Sequence, residues 1–355
     1  METLWLILIS LMITTYILLD GFDLGAGMVY WLFANNENER QLIKSSIGPF
    51  WDGNEVWLIA GGGTLFFAFP RVYSSSFSGF YLPFMILLWL LMLRGISLEL
   101  RNHVEHDIWK NFMDFWFGMS ALLIALFLGA ALGNIVRGVN LGGIVDGVAH
   151  YEPNYFFATL WTDFSPYGNV GVLDWFTVTM GVTGVIVLFF HGAAWIIKKT
   201  DIPLDEQLRS LGARWSWIIP ILVVVTSWMM YFIRPSFYAN YFHHIYWYIF
   251  PLIGIGSSLL IPRAFKTGSD GQPFLYTSVF IASMLISTLV GMYPMMLPST
   301  NSVNPALTIY NSSTSHYGMV VGLVWWTLAL ILVIIYFTYI HKIFSGKVTE
   351  ESSHY

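Results

Sequence analysis

The sequence predicts an all-α, polytopic membrane protein, and three observations carry that prediction. Hydrophobic residues make up 56% of the chain and charged residues only 10%, where a water-facing domain carries about a quarter charged residues. Apolar runs recur at the length of about 20 residues that a bilayer-crossing helix needs. The 16 tryptophans and 19 tyrosines suit two interfacial aromatic belts. Strand-like alternation is scarce and no long polar domain separates the runs, which favours helices over a transmembrane barrel.

Nine candidate spans follow in order, at 4–33, 54–73, 77–95, 112–136, 172–197, 215–234, 244–262, 275–296 and 317–341. The first opens "METLWLILISLMITTYILLD" and lacks the basic n-region and small-residue cleavage site of a signal peptide, so it reads as the first span of the mature protein. It is long for one crossing and should tilt or protrude. A polar and aromatic connection at 137–171, with "EPNYFFATLWTDFSPYGN", parts four spans from five. The expected organisation is a first four-helix bundle over 1–136, that connection, and a second bundle over 172–296. An outer loop and peripheral ninth helix over 297–341 and a polar tail over 342–355 complete it.

Orientation comes from the cations. With the N-terminus outside, inner segments carry thirteen Lys and Arg residues and outer segments only Arg71, Arg137 and Arg234. Basic residues stay on the cytoplasmic side, which gives a periplasmic N-terminus and a cytoplasmic C-terminus. The net charge of −5 is small for 355 residues and points to no particular partner. With no cysteine, disulfides, thiolate-held iron–sulfur clusters and covalent haem attachment are excluded.

The residues that ask for a function are acids at membrane depth, where carboxylates are costly and mark sites. In "LLDGFDLGAGMVYW", Asp20 and Asp23 stand three apart, on one helix face. Both fall in the inner half of the membrane, and in low dielectric one of two such neighbours should hold a proton. Gly21 and Gly25 form a small-xxx-small pair that lets another helix approach. In "FWDGNEVW", Asp52 and Glu55 have the spacing of a capping box opening the second span, with Trp51 and Trp57 as interfacial anchors. A cap does not exclude function: a series of acids from the inner surface inward also suits uptake of protons or other cations. Gly61, Gly62 and Gly63 remove side chains from the same helix and admit a bulky neighbour.

Other polar residues read as structural. Arg94, Glu99 and Arg101 form a snorkelling ion-pair cluster at the inner end of the third span, and Asp114 complements the N-terminus of the fourth. His191, deep in the fifth span, reads as hydrogen-bonded across helices rather than as a haem ligand. No two histidines face each other from the middles of different spans, and Gly-rich phosphate loops and HExxH or Cys-based metal motifs are absent.

The stretches "LLDGFDLGAGM", "PFWDGNEVWLIAGGGTLFFAFPRVY", "FSGFYLPF", "RGISLELR" and "PSTNSVNPALTIYNSSTS" together resemble subunit II of the cytochrome bd family of quinol oxidases. The likeness is dense over 17–101 and thins in spans five to seven. It implies an electrogenic complex in which a partner, subunit I, carries two b-type haems, one d-type haem and a periplasmic quinol site, and reduces oxygen to water with cytoplasmic protons. Subunit II, by the same resemblance, repeats the fold of subunit I without its haem ligands, so this chain is expected to bind neither haem nor metal. Asp52 corresponds to the family's acid where cytoplasmic protons are taken up, Asp23 to an acid further in, and Asp20 is its neighbour in the motif. Glu55 lies in the same motif, Trp57 corresponds to the tryptophan near the start of a proposed oxygen path, and Gly61, Gly62 and Gly63 follow it toward that path or the subunit interface. Position 50 is Phe where some relatives carry a polar residue. A structural quinone, small single-span accessory subunits, the quinone pool, and a bacterial or archaeal cytoplasmic membrane complete the expectation. The competing reading is a proton-coupled secondary transporter using Asp20 and Asp23, which requires helices broken near the midplane in both halves.

Overall fold

Long runs of Leu, Ile, Phe and Trp without internal punctuation give long helices, and the computed structural model builds them over most of the chain. It describes residues 1–145, 148–150, 156, 160–168, 170–301 and 304–348. The tail beyond 348 and parts of the predicted 137–171 connection lie outside the described residues. In order come α1 (Glu2–Phe33), α2 (Glu37–Ile47), α3 (Trp51–Ala68), α4 (Pro70–Gly79), α5 (Tyr81–Leu100) and α6 (Asp107–Arg137). A short antiparallel pair, β1 (Gly143–Val145) with β2 (Val148–His150), precedes α7 (Trp175–Lys199), α8 (Pro203–Trp215), α9 (Ile218–Ile233), α10 (Pro235–His243), α11 (Ile249–Thr267) and α12 (Gln272–Met292). A second pair, β3 (Met295–Leu297) with β4 (Leu307–Thr308), leads to α13 (His316–Ile343).

Among the described residues, seven helices are long and apolar enough to cross a membrane, or eight when α8 and α9, bent by 41°, count as one span. This is a polytopic helical membrane protein. The second predicted span, 54–73, is divided between α3 and α4. Pro70 has no N–H to continue the ladder and sits at the start of α4. Asp52, Asn54, Glu55 and three glycines keep the 18-residue α3 outside the seven. The predicted 77–95 span begins only at Tyr81, and the 16-residue α9 reaches span length with α8 alone.

Helix α1 is the hub, packing on α3, α6, α7 and α12. Every residue of α1 from Asp20 to Tyr30 is buried, glycines included. Small residues allow this. A methyl group on Gly25 would lie 2.0 Å from the Leu188 carbonyl oxygen and 2.6 Å from the Gly192 Cα, so α1 and α7 touch through backbone. Gly21 meets Leu188 on the same seam, as the small-xxx-small spacing predicts. At the other end of α7, Asp174 accepts from the backbone N–H of Phe176 and Thr177 at 2.8 and 2.9 Å, and the Thr177 hydroxyl accepts from the Asp174 N–H at 2.9 Å. Arg137, at the end of α6, pairs with the same Asp174 carboxylate and donates to Asn134 Oδ1 at 2.7 Å. That completed capping box fixes where the two helices meet.

Candidate functional site

Because α1 gives its glycine seam to α7, Asp20 and Asp23 point the other way, toward α3 and α5. Their side chains are buried. Arg94 of α5 reaches in between: one guanidinium nitrogen lies 2.6 Å from Asp20 Oδ1 and also bonds the Glu55 carboxylate of α3. Asn54, buried on α3, donates its amide to Asp23 Oδ2 at 2.8 Å. The Tyr16 hydroxyl, one turn before Asp20, borders the same carboxylate. Three helices thus bring three acids, an amide and one arginine into a single cluster.

The cluster is not saturated. Asp20 Oδ2, Asp23 Oδ1, Asn54 Oδ1 and Arg94 Nη1 are buried without a hydrogen-bond partner among the described residues. Glu55 alone of the buried set keeps an opening, with its side chain 25% exposed. Asp52, one turn earlier on α3, is exposed.

This corrects the capping-box expectation. α3 begins at Trp51 with Phe50 as its cap residue and no side-chain capping bond, so Asp52 already lies inside the first turn. Glu55 cannot reach back because Arg94 holds it. Phe50, far from wetting Asp52, is buried against Trp195, His341 and Phe344. Trp57 is buried as well: it packs in one cluster with Met12 and Tyr16, and its ring centroid lies 5.5 Å from that of Phe337. Gly61 abuts Ile13 of α1, where an added methyl would come within 2.9 Å, whereas methyls on Gly62 and Gly63 would meet nothing within 4 Å.

The snorkelling expectation for Arg94 and Arg101 is also overturned, since only 2% of each side chain is exposed. A signal for this was present in the sequence. Arg94, Ser97, Leu98 and Arg101 follow the i, i+3, i+4, i+7 spacing of one helix face, and all four are buried. Arg101 forks onto Asp114 at 2.5 and 3.0 Å and onto Glu37 at 2.6 and 2.8 Å. Tyr30 and Arg40 also donate to Asp114. Asp114, expected only to complement a helix N-terminus, is the acceptor that ties α1, α2, α5 and α6 together. Outside the spans, the Arg101 bonds hold Glu37 below the usual carboxylate range, and burial pushes Lys44 down to about 8. Sequence reading missed this second network because its members are scattered over four segments. Asn54 was missed because a lone amide inside a motif carries no period.

His191 is hydrogen-bonded across helices, as expected. Its ring nitrogens bond Thr277 Oγ1 of α12 at 2.8 Å and the Leu18 carbonyl of α1 at 3.0 Å, and its ring stacks on Phe274.

Comparison with known proteins agrees with these motifs. The chain is 25% identical to the cytochrome bd-I ubiquinol oxidase subunit 2 of Escherichia coli K12, over 98% of this chain and 95% of that protein. It is 26% identical to a probable cytochrome oxidase subunit 2 of Haemophilus influenzae, covering 94% and 91% of the two chains. Against the cytochrome bd ubiquinol oxidase subunit 2 of Bacillus subtilis the identity is 28%, covering 90% and 88%. The family described as cytochrome bd terminal oxidase subunit II matches residues 1–344, a range that holds both ion clusters and every helix, and to that family this chain belongs.

Proposed function

We propose that this chain is the haem-free subunit II of a bd-type complex that oxidises quinol and reduces oxygen to water. In this reading it stabilises subunit I and conducts protons toward the haems there. The observation that carries the reading is the α1–α3–α5 cluster: carboxyl oxygens of Asp20 and Asp23 are buried on α1 without a partner among the described residues, and on the adjoining α3 the exposed acid Asp52 lies one turn before Glu55. Buried polar atoms of that kind are normally satisfied by water. Water among Asp52, Glu55, Asp20 and Asp23 would give a hydrogen-bonded route along α3 and α1. Asp20 is held in an ion pair by Arg94. Asp23 accepts from the neutral Asn54 amide and makes no ion pair among the described residues, so in this reading it is the carboxyl that exchanges a proton. The basic-rich side is cytoplasmic in this account, and Asp52 is where protons are taken up.

The cover for Glu55 is subunit I. Glu55 is partly exposed, and on the same helix Val56 and Ile59 are 50% and 73% exposed. A carboxylate facing lipid is costly, so a protein surface belongs there. Gly62 and Gly63 lie on the same helix and leave room for side chains of the partner. The apolar helix α13, only 6% buried over its span, extends this face. In this arrangement α3 is the ninth crossing, reinforced by its partner.

A structural quinone also fits this chain. The indole N–H groups of Trp57 and Trp326 are buried donors without acceptors in one apolar cluster. They would donate to the carbonyl oxygens of a quinone. No haem is assigned to this chain.

The test is Asp23→Asn and Asp52→Asn in the assembled complex. Quinol oxidation should fall by at least about tenfold with haem absorbance per complex unchanged. Unchanged turnover in a fully haem-loaded complex overturns the proton role; loss of haem makes the acids structural.

A further inference from the structure

Helix α8 carries a cation that no acid neutralises among the described residues. Its Leu204, Leu208 and Gly212 are buried, while Gln207, Ser210, Leu211 and Arg214 line a shallow cavity of about 300 Å³ on the other side. These four lie at helical spacing on one face, with Trp215 closing the cavity. Arg214 is exposed and forms no ion pair among the described residues, unlike its neighbour Arg209, which pairs with Asp270. No carboxylate lines the cavity.

Trp215 is also a wall of a second cavity, of about 250 Å³ and wholly apolar. This one is a slot between α1, α6, α7 and α9, formed by residues such as Leu32, Leu122, Val185, Phe189 and Ile218. Trp215 is 62% and Leu32 52% exposed, so the slot opens sideways where lipid lies. Its lining includes no residue of α3, α5 or α13, the face given above to subunit I. Helices α8 and α9 meet at a bend of 41°, and Trp215, at the end of α8, lines both cavities.

We propose that the joined cavities form a binding site for an anionic glycerophospholipid. Arg214, with the Gln207 amide and Ser210 hydroxyl as further donors, takes the phosphate and the negatively charged headgroup. One acyl chain lies in the slot along α7. Charge complementarity chooses this occupant over a zwitterionic lipid: an unpaired guanidinium beside amide and hydroxyl donors forms charge-assisted bonds to phosphate oxygens. A cation at a membrane surface attracts anionic lipid even without a formed pocket. Here an apolar slot starts from the same tryptophan, and that contiguity is the reason to infer a site and not a diffuse shell.

Native mass spectrometry of the delipidated two-subunit complex tests this, with dioleoyl phosphatidylglycerol and dioleoyl phosphatidylcholine as probes. The wild-type complex should retain phosphatidylglycerol with an apparent Kd at least about tenfold tighter, one charge-assisted contact's worth. Arg214→Gln should bring the two lipids within about twofold, and Arg214→Lys should keep most of the preference. Val185→Trp, which fills the slot, should weaken both lipids. Inorganic phosphate at millimolar concentration should not displace the lipid, because it leaves the slot unfilled. Equal retention of the two lipids by wild type overturns the proposal, as does a preference that survives Arg214→Gln. Displacement by phosphate reduces the site to an anion contact and overturns the slot. Haem absorbance of each variant shows that the complex is intact.

Discussion

Arg94 on α5 lies 2.6 Å from Asp20 on α1, and 2% and 0% of the two side chains are exposed. Seventy-four residues separate them in sequence. A buried pair of this kind is weak ground for a claim of stability, since desolvating both ions offsets most of their attraction. Removing one partner is another matter. Arg94→Leu leaves Asp20 without its cation and releases Glu55, and we expect a loss of about 3–5 kcal/mol, read as a lower Tm of the purified complex. Asp20→Asn should cost less, because Arg94 keeps Glu55. Combined with Arg94→Leu it should recover part of the loss in a double-mutant cycle. Strictly additive losses would show that the two side chains are not coupled.

The α1–α7 seam makes a second, purely steric prediction. A methyl at Gly25 would fall 2.0 Å from a backbone oxygen, and at Gly192 2.1 Å from the Gly25 carbonyl carbon. Backbone cannot rotate away as a side chain can, so each Gly→Ala change must separate the helices. Overpacking costs about 1–3 kcal/mol, and this seam should lie at the upper end. Gly256→Ala is the control: on α11 an added methyl meets nothing within 4 Å, and helix propensity alone should stabilise by about 0.5–1 kcal/mol. Thermal denaturation of the three variants in one detergent checks the order, and equal Tm values for Gly25→Ala and Gly256→Ala would refute it.

These relationships mark where sequence reading works and where it stops. Burial of Asp20 and Asp23, the glycine seam and the cross-helix role of His191 were legible, because each follows from a local spacing or from the cost of polarity at depth. The break at Pro70 was also written in the sequence, yet a hydropathy run over 54–73 passed across it, since the apolar content continues on both sides. Pairings between helices were not legible. Asp52 and Glu55 match a capping box by spacing alone, and the competitor that wins Glu55 is an arginine 39 residues away. Arg101 and Asp114 likewise looked like surface charges, because a long cationic side chain at a helix end commonly snorkels. What reversed the reading is four-way satisfaction: with Glu37, Tyr30 and Arg40 supplying the remaining bonds, the charges can be buried together.

Lys44 gives a pH-dependent prediction at the edge of that second network. It lies on α2, outside the spans and 8% exposed, and burial, followed by the field of Arg101, lowers its pKa from 10.5 to about 8. An ammonium that loses affinity for its proton on folding penalises the folded state. The penalty is fully present below about pH 8, and it is relieved as pH rises toward 10.5, where the unfolded chain binds the extra proton. A shift of this size corresponds to about 3 kcal/mol. Lys44→Met keeps the apolar stem and removes the charge, so the variant should be more stable than wild type at neutral pH. Its advantage should shrink steadily between about pH 8 and pH 10, as other titrating groups cancel in the difference between the two proteins. Tm measured over that range in a fixed detergent checks the slope. A difference that stays constant with pH would mean that Lys44 is as well hydrated in the folded protein as in the unfolded chain.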